Sequence, residues 1–348
     1  MVAHIPDDRS ITVGVRTRSL SHDRLRLLAQ LGVTDVFVDH GEVAEEGEAF
    51  VGGEGPDVLT VGPGSIPTVD EFETARERVE SYGLRLAGIH SLPFALYGDI
   101  MFDREGSETS FEEITTLIEN IGAAGIDILG YQWMPRGLVP LRTNPTEARG
   151  GAEATAFDLE ELDDPDTLPE GIDREYTEDE LWDNYERFIT TVLPVAEQAG
   201  VTLALHPMDP PVIESLYGIP RLFRNREHFD RAMELGSSDN HGLKLCLGCF
   251  TEMGEDMVDV VEHFGSDIVF VHFRNVVGTV PSFHESFVDQ GNFEPPAVMR
   301  ALSRVGFDGA VVPDHVPKME GDEGWRPVGR SYTVGYLQGL IDDIDYTG

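Results

Sequence analysis

Four stretches in the second half of the chain run apolar for several residues and then stop on a side chain that can ligate a metal. They are Leu203-Ala204-Leu205-His206, Leu243-Lys244-Leu245-Cys246, Ile268-Val269-Phe270-Val271-His272 and Val311-Val312-Pro313-Asp314. One alone says little, because a strand-end His is usually a hydrogen-bonded structural residue and a lone Cys a small core hydrophobe. Four in the same register, each just ahead of a polar or Gly/Pro-rich loop, point to one shared divalent site. Two imidazoles, a thiolate and a carboxylate suit Zn²⁺ or Fe²⁺ by softness, and a looser site with open positions for substrate oxygens suits Mn²⁺. The residue types leave the choice open.

The same neighbourhoods carry groups for proton chemistry on a sugar-like acid. His315 follows Asp314 directly, and an imidazole beside a metal-held substrate works as general acid or base near neutral pH. Arg274 and Arg330 are candidate clamps for a carboxylate, which guanidinium grips bidentately. Tyr332 offers a phenol as a further catalytic group. His284, beside Glu285, and His90 complete the substrate-side candidates.

Short apolar runs of this kind read as buried strands. Aligning helix-like stretches on the Gly that ends them (Gly32, Gly83, Gly125, Gly200, Gly242, Gly306, with Gly265 similar) gives eight strand candidates when the run from Ile11 is counted. They lie near 11–16, 33–38, 84–89, 126–131, 201–205, 242–246, 268–272 and 309–313. Capping-box patterns begin at Thr68, Ser110 and Thr177, each ahead of an amphipathic stretch. Alternation of strand and helix, eight times over, predicts a single (β/α)8 barrel spanning 1–348. Long insertions at 40–66, 91–108, 132–176, 207–225 and 274–292 all follow strands, on the side where barrels build their active sites. The largest, 132–176, reads as a lid or an oligomer contact, and a homo-oligomer is expected.

Composition narrows the partners. Among 348 residues, 64 are acidic and 25 basic, a formal net charge of −39. That field repels nucleic acid and anionic lipid and resembles the solvated acidic shells of proteins from salt-loaded cytoplasm. A small anionic substrate then needs local Arg or His inside a cleft. The N-terminal stretch has neither a basic nor an apolar targeting region, so a cytoplasmic protein is expected. Cys246 and Cys249 are the only cysteines; they exclude a disulfide framework, and no second Cys-x-x-Cys completes a four-thiolate zinc site.

The chain resembles the D-mannonate dehydratase family. The carriers are Tyr131-Gln132-Trp133-Met134-Pro135, His206-Pro207-Met208-Asp209-Pro210-Pro211, Gly218-Ile219-Pro220-Arg221, Leu245-Cys246-Leu247-Gly248, Val271-His272-Phe273-Arg274-Asn275-Val276, Ser282-Phe283-His284-Glu285 and Pro313-Asp314-His315. They occur in the family's order from about residue 84 onward. The resemblance implies a xylose-isomerase-like barrel holding Mn²⁺ through His206, Cys246, His272 and Asp314. It implies dehydration of D-mannonate to 2-keto-3-deoxy-D-gluconate, with His315 and a Tyr of the following loop moving protons; Tyr332 is the nearest match. This chain departs from the family at Met208, where the family has Asp, at Cys249, where it has Ser, and at Val316-Pro317, where it has Gly-Arg.

Two other readings stay in view. A metal-dependent sugar isomerase or epimerase on the same barrel would want carboxylate-rich ligands and paired Glu bases, and no strand candidate ends in Glu. A catalytically lapsed barrel kept as a binding protein would hold no divalent ion. A DNA-repair endonuclease would need a basic cleft, against the charge.

Overall fold

Eight short strands close into a parallel barrel: β1 (Thr12–Thr17), β2 (Asp35–Val38), β3 (Arg85–Ile89), β4 (Ile128–Gln132), β5 (Thr202–His206), β6 (His241–Cys246), β7 (Ile268–His272) and β8 (Ala310–Val312). Each pairs with its sequence neighbours, and β8 returns to β1 through Val13 and Val311. The computed structural model describes residues 11–39, 58–212 and 214–347; residues 40–57 of the first expected insertion lie outside them. The eight strands agree with the sequence reading to within two residues at most ends.

Side-chain alternation along β-strands decides what faces inward. Phe37 on β2 and Phe270 on β7 stack at 4.4 Å, which strands on opposite sides of the barrel achieve only through its interior. With Ala87, Ala204, Ala310 and Val312 they form a small apolar plug separate from the larger core between strands and helices. Gly14 completes the layer, since a Cβ there would stand 3.0 Å from Val312 and 3.2 Å from Phe37. Two residues further along each chain, the same inward parity yields Arg16, Asp39, His206, His272 and Asp314, and from β6 and β4 it yields Cys246 and Gln132. The plug is thus the floor of a polar layer at the strand C-termini.

The helices follow their capping signals with two exceptions. Thr68 and Thr177 each form a full capping box, and the long helix Glu178–Ala199 ends on Gly200 at φ 69°. Ser110, by contrast, lies inside a helix that begins at Ser107 after Gly106. Gly242 ends no helix: the preceding one stops at Leu235, and Gly242 sits within β6, where a Cβ would meet the Asp267 carbonyl oxygen at 2.4 Å.

Two of the long loops are stitched together over the mouth. The hairpin of Val276–Thr279 with Ser282–Glu285, which follows β7, pairs antiparallel with Ala156–Asp158 from the loop after β4. Phe157 and Phe283 stack across that seam at 5.7 Å, both buried. The seam fixes Glu285 and Arg142 above the polar layer. No helix among the described residues is long and apolar enough to cross a membrane.

Candidate metal centre

His206, Cys246, His272 and Asp314 are all buried at the ends of β5, β6, β7 and just past β8. The ligating atoms of Cys246, His272 and Asp314 lie within 4.8 Å of one another, and Cys246 also forms such a group with His206 and Cys249. Cys246 is therefore the shared corner. The His206 Nδ1–H donates to the Pro207 carbonyl at 2.7 Å, which leaves Nε2 with its lone pair. His272 Nδ1 lies 3.4 Å from Asp314 Oδ2 and makes no hydrogen bond among the described residues, although it is buried. An orphaned buried nitrogen among a thiol and a carboxylate is what a site for a cation looks like without the cation. The residues present fit a divalent ion.

Electrostatics favour the ligating protonation states. Burial alone raises a thiol, but Cys249, the Arg274 guanidinium and the two imidazoles outweigh it and hold Cys246 well below the usual thiol range. Burial likewise opposes ionisation of Asp314, and His315, His272 and Arg16 reverse it, keeping the carboxylate charged. Cys249 goes the other way: burial and the neighbouring Cys246 push its thiol up.

Arg274, expected as a carboxylate clamp, instead spends all five N–H groups on the protein. Nη1 donates to Glu252 at 2.8 Å and Glu285 at 2.6 Å, Nη2 to Asp209 at 2.9 Å and Cys249 Sγ at 3.2 Å, and Nε to Cys246 Sγ at 3.3 Å. It is a counter-ion for buried acids, with nothing left for a substrate. Burial pushes the Glu252 carboxyl well up, so it keeps its proton, whereas Arg142 and Arg274 hold Asp209 below its ordinary value despite burial.

His315 occupies the open side of the cluster, with 31% of its side chain exposed. Its Nδ1 lies 2.8 Å from Glu285 Oε1 and 3.1 Å from Arg142 Nη2. The shorter contact, to a carboxylate that can only accept, assigns the hydrogen to Nδ1, and Arg142 Nη2 pairs with the same Glu285 oxygen at 3.0 Å. A buried carboxylate on Nδ1 fixes the tautomer and leaves Nε2 as the working nitrogen. His284, one residue away from Glu285, alternates to the other face of its strand, and its Nδ1 lies 3.0 Å from the Glu285 carbonyl oxygen.

The remaining candidates are dispersed. Arg330 donates to the backbone carbonyls of Pro313 and Trp325, both at 2.9 Å, and buttresses the Asp314 loop from behind; burial lowers it to about 9. Tyr332 accepts from Arg149 Nη2 at 3.3 Å and packs edge-on against Phe287 at the rim, with none of the four ligand candidates among its partners in the described residues. His90 is buried beside the centre, its Nε2 2.9 Å from His272 Nε2.

Several residues of the site escaped the sequence reading. Lys244, inward on β6 just below Cys246, donates to the His90 carbonyl at 2.7 Å and Ser91 Oγ at 2.9 Å, and burial lowers its ammonium to about 7. Arg16 bridges Asp314 and Asp39, at 3.3 Å to each. Arg142 and Glu252 come from a loop and a short helix. A Lys amid the apolar run Leu243-Lys244-Leu245 was the legible signal, and two-residue parity from Gly14 and Phe37 would have found Arg16 and Asp39.

Comparison with known proteins places this geometry. Residues 57–347 match the family model described as D-mannonate dehydratase (UxuA). The chain belongs to the D-mannonate dehydratase family. A mannonate dehydratase of Oceanobacillus iheyensis is 28% identical over 320 residues, covering 83% of this chain and 89% of that protein. The mannonate dehydratase 2 of Halalkalibacterium halodurans is 28% identical, covering 82% and 90%. The crystal structure of mannonate dehydratase from Streptococcus suis serotype 2 superposes with a TM-score of 0.81 at 25% identity, over 96% of this chain and 93% of that one. A xylose isomerase domain protein of Planctomyces limnophilus, at 11% identity and a TM-score of 0.61, shares the fold. Within the D-mannonate dehydratase match fall all four ligand candidates, His315 and Arg142; Arg16 and Asp39 precede it.

Proposed function

We propose that this enzyme is a divalent-metal hydro-lyase that dehydrates a sugar acid, D-mannonate, to 2-keto-3-deoxy-D-gluconate, with Mn²⁺ as its ion. The observation that carries the reading is the partnerless His272 Nδ1 facing Asp314 and Cys246, beside an imidazole, His315, oriented by a buried carboxylate. His206, Cys246, His272 and Asp314 would hold the ion, which supplies positive charge toward the oxygens of a hydroxy acid.

The chain's own groups account for the proton transfers. Removing the proton at C2, beside the carboxylate, needs a base on the open side of the centre. His315 Nε2 is available because Nδ1–H is committed to Glu285. As that proton arrives, the Glu285 carboxylate stabilises the imidazolium that forms. The C3 hydroxyl leaves as water once protonated, and the proposed acid is Tyr332. Its support is the chemistry of a phenol placed in the second turn of the helix Pro327–Thr347, which starts at the strand-end side of the barrel. The substrate's carboxylate is not held by Arg274, whose donors are all taken.

Turnover of a panel of C5 and C6 aldonic acids with Mn²⁺ tests the reading. A 2-keto-3-deoxy product from D-mannonate above the others is the expected result. Formation of an isomeric acid with no keto-deoxy product would overturn dehydration in favour of an isomerase or epimerase, and protein unable to bind any divalent ion would favour a lapsed barrel.

A further inference from the structure

Three side chains from the C-terminal ends of β2, β3 and β7 form a hydrogen-bonded line into the metal cluster. Asp39 Oδ1 lies 2.9 Å from His90 Nδ1, and His90 Nε2 lies 2.9 Å from His272 Nε2. The two imidazoles are nearly coplanar, 7° apart, with centroids 5.0 Å apart. We propose that Asp39 and His90 are positioning residues that set the tautomer of His272, so that its Nδ1 lone pair faces Cys246 and Asp314.

The direction of the line follows from counting hydrogens. Only one proton fits between two ring nitrogens 2.9 Å apart, so one ring donates and the other accepts. A carboxylate at His90 Nδ1 can only accept, and Asp39 is ion-paired with Arg16 Nη1 at 3.3 Å, which favours its charged form. His90 Nδ1 therefore carries hydrogen, His90 Nε2 presents its lone pair, and His272 Nε2 must be the donor. That leaves Nδ1 of a neutral His272 with a lone pair and no hydrogen, matching its lack of any hydrogen-bond partner.

The line is also held rigidly. Lys244 Nζ pins the His90 carbonyl and Ser91 Oγ, and a Cβ on Gly130 would come within 2.0 Å of the same carbonyl oxygen. Arg16 joins the far end of the line to the ligand Asp314 through its Nε, 3.3 Å from Oδ1. Partners of this kind fix ligand orientation and basicity. Asp39 lies outside the span matched to the family, and neither Asp39 nor Arg16 is among the residues that carry the resemblance.

The inference rests on the reading of the cluster as a metal site, and two measurements separate their failures. First, Mn²⁺ titration by calorimetry of the full chain: Asp39→Asn and His90→Phe are expected to weaken binding by roughly 10- to 100-fold. His90→Gln, which keeps an acceptor oxygen, is expected to retain more affinity than His90→Phe. Affinity unchanged in folded Asp39→Asn and His90→Phe proteins overturns the proposal. Second, ¹⁵N-imidazole NMR of the metal-free protein: His90 is expected as the Nδ1–H tautomer, and Asp39→Asn is expected to change it. The same tautomer in both proteins overturns the proposal even if wild-type protein binds no ion, a result that by itself removes the metal reading.

Discussion

Arg142 reaches out of the long loop after β4 and places both Nη atoms on the Asp209 carboxylate, at 2.7 and 2.8 Å. Asp209 belongs to the loop after β5, and Arg142 Nη2 also meets Glu285 of the loop after β7 at 3.0 Å. One planar fork thus ties three mouth loops together and steadies the carboxylate that orients His315. Lysine carries the charge without the fork. Arg142→Lys is expected to lower kcat/KM by about 10- to 100-fold while metal stoichiometry stays at the wild-type value. Steady-state kinetics with metal analysis checks this, and full activity in the Lys variant would show the fork to be dispensable.

The buried acids around Arg274 are unequal, which makes a contrast testable. Glu252 is kept protonated by burial, whereas Glu285 stays charged through Arg274 and His315. Glu252→Gln should therefore cost about 1 kcal/mol or less, since it copies a neutral side chain. Arg274→Met leaves Asp209 and Glu285 with less compensation in a buried site and should cost about 3–5 kcal/mol. Denaturant unfolding of the two variants gives the comparison, and equal losses would reverse the assignment of charge.

Ligand and base roles separate by what each variant keeps. Cys246→Ser replaces a shared corner thiolate with a hydroxyl, so divalent-ion affinity and turnover should fall together. His315→Asn removes no candidate ligand, and the Nε2 it deletes stands 3.8 Å from Asp314 Oδ2, beyond hydrogen-bond reach. It should leave metal binding in place and reduce kcat by about 10²- to 10⁴-fold. Parallel calorimetry and kinetics distinguish them, and unimpaired turnover in His315→Asn would remove the acid/base assignment.

How far the sequence reached is clear from particular residues. The four ligand candidates were legible because strand period and ligand type coincide at their positions, and Gly200 and Gly306 marked the helix ends between. Gly242 misled, because a Gly needed for close approach to the Asp267 backbone reads the same as a helix cap. Arg274 was found but given the wrong partner: sequence shows a cation next to a ligand, but not that Asp209 from a loop, Glu252 from a short helix and Glu285 from a hairpin converge on it. Arg142 carries no local pattern at all. Its position is set by the pairing of Ala156–Asp158 with the hairpin after β7, a long-range contact with no periodic trace.

A pH-dependent stability follows from a polar network behind the barrel wall. His241 Nδ1–H donates to the Gly236 carbonyl at 2.9 Å, and its Nε2 accepts from the Tyr131 hydroxyl at 2.7 Å, which in turn meets Tyr185 at 2.9 Å. A second proton on the ring would leave Tyr131 without its acceptor inside a buried site. Burial lowers His241 from 6.5 to about 4. The unfolded chain takes up a proton near pH 6.5 that the folded one refuses until about pH 4, so stability from this group is full above the upper value and is lost as pH falls across the window. The loss amounts to about 3 kcal/mol. His241→Gln should be less stable than wild type near neutral pH, and the gap should shrink on acidification. Denaturant unfolding at several pH values between about 7 and 4.5 measures it, and two curves that stay parallel would show that His241 is not the group responsible.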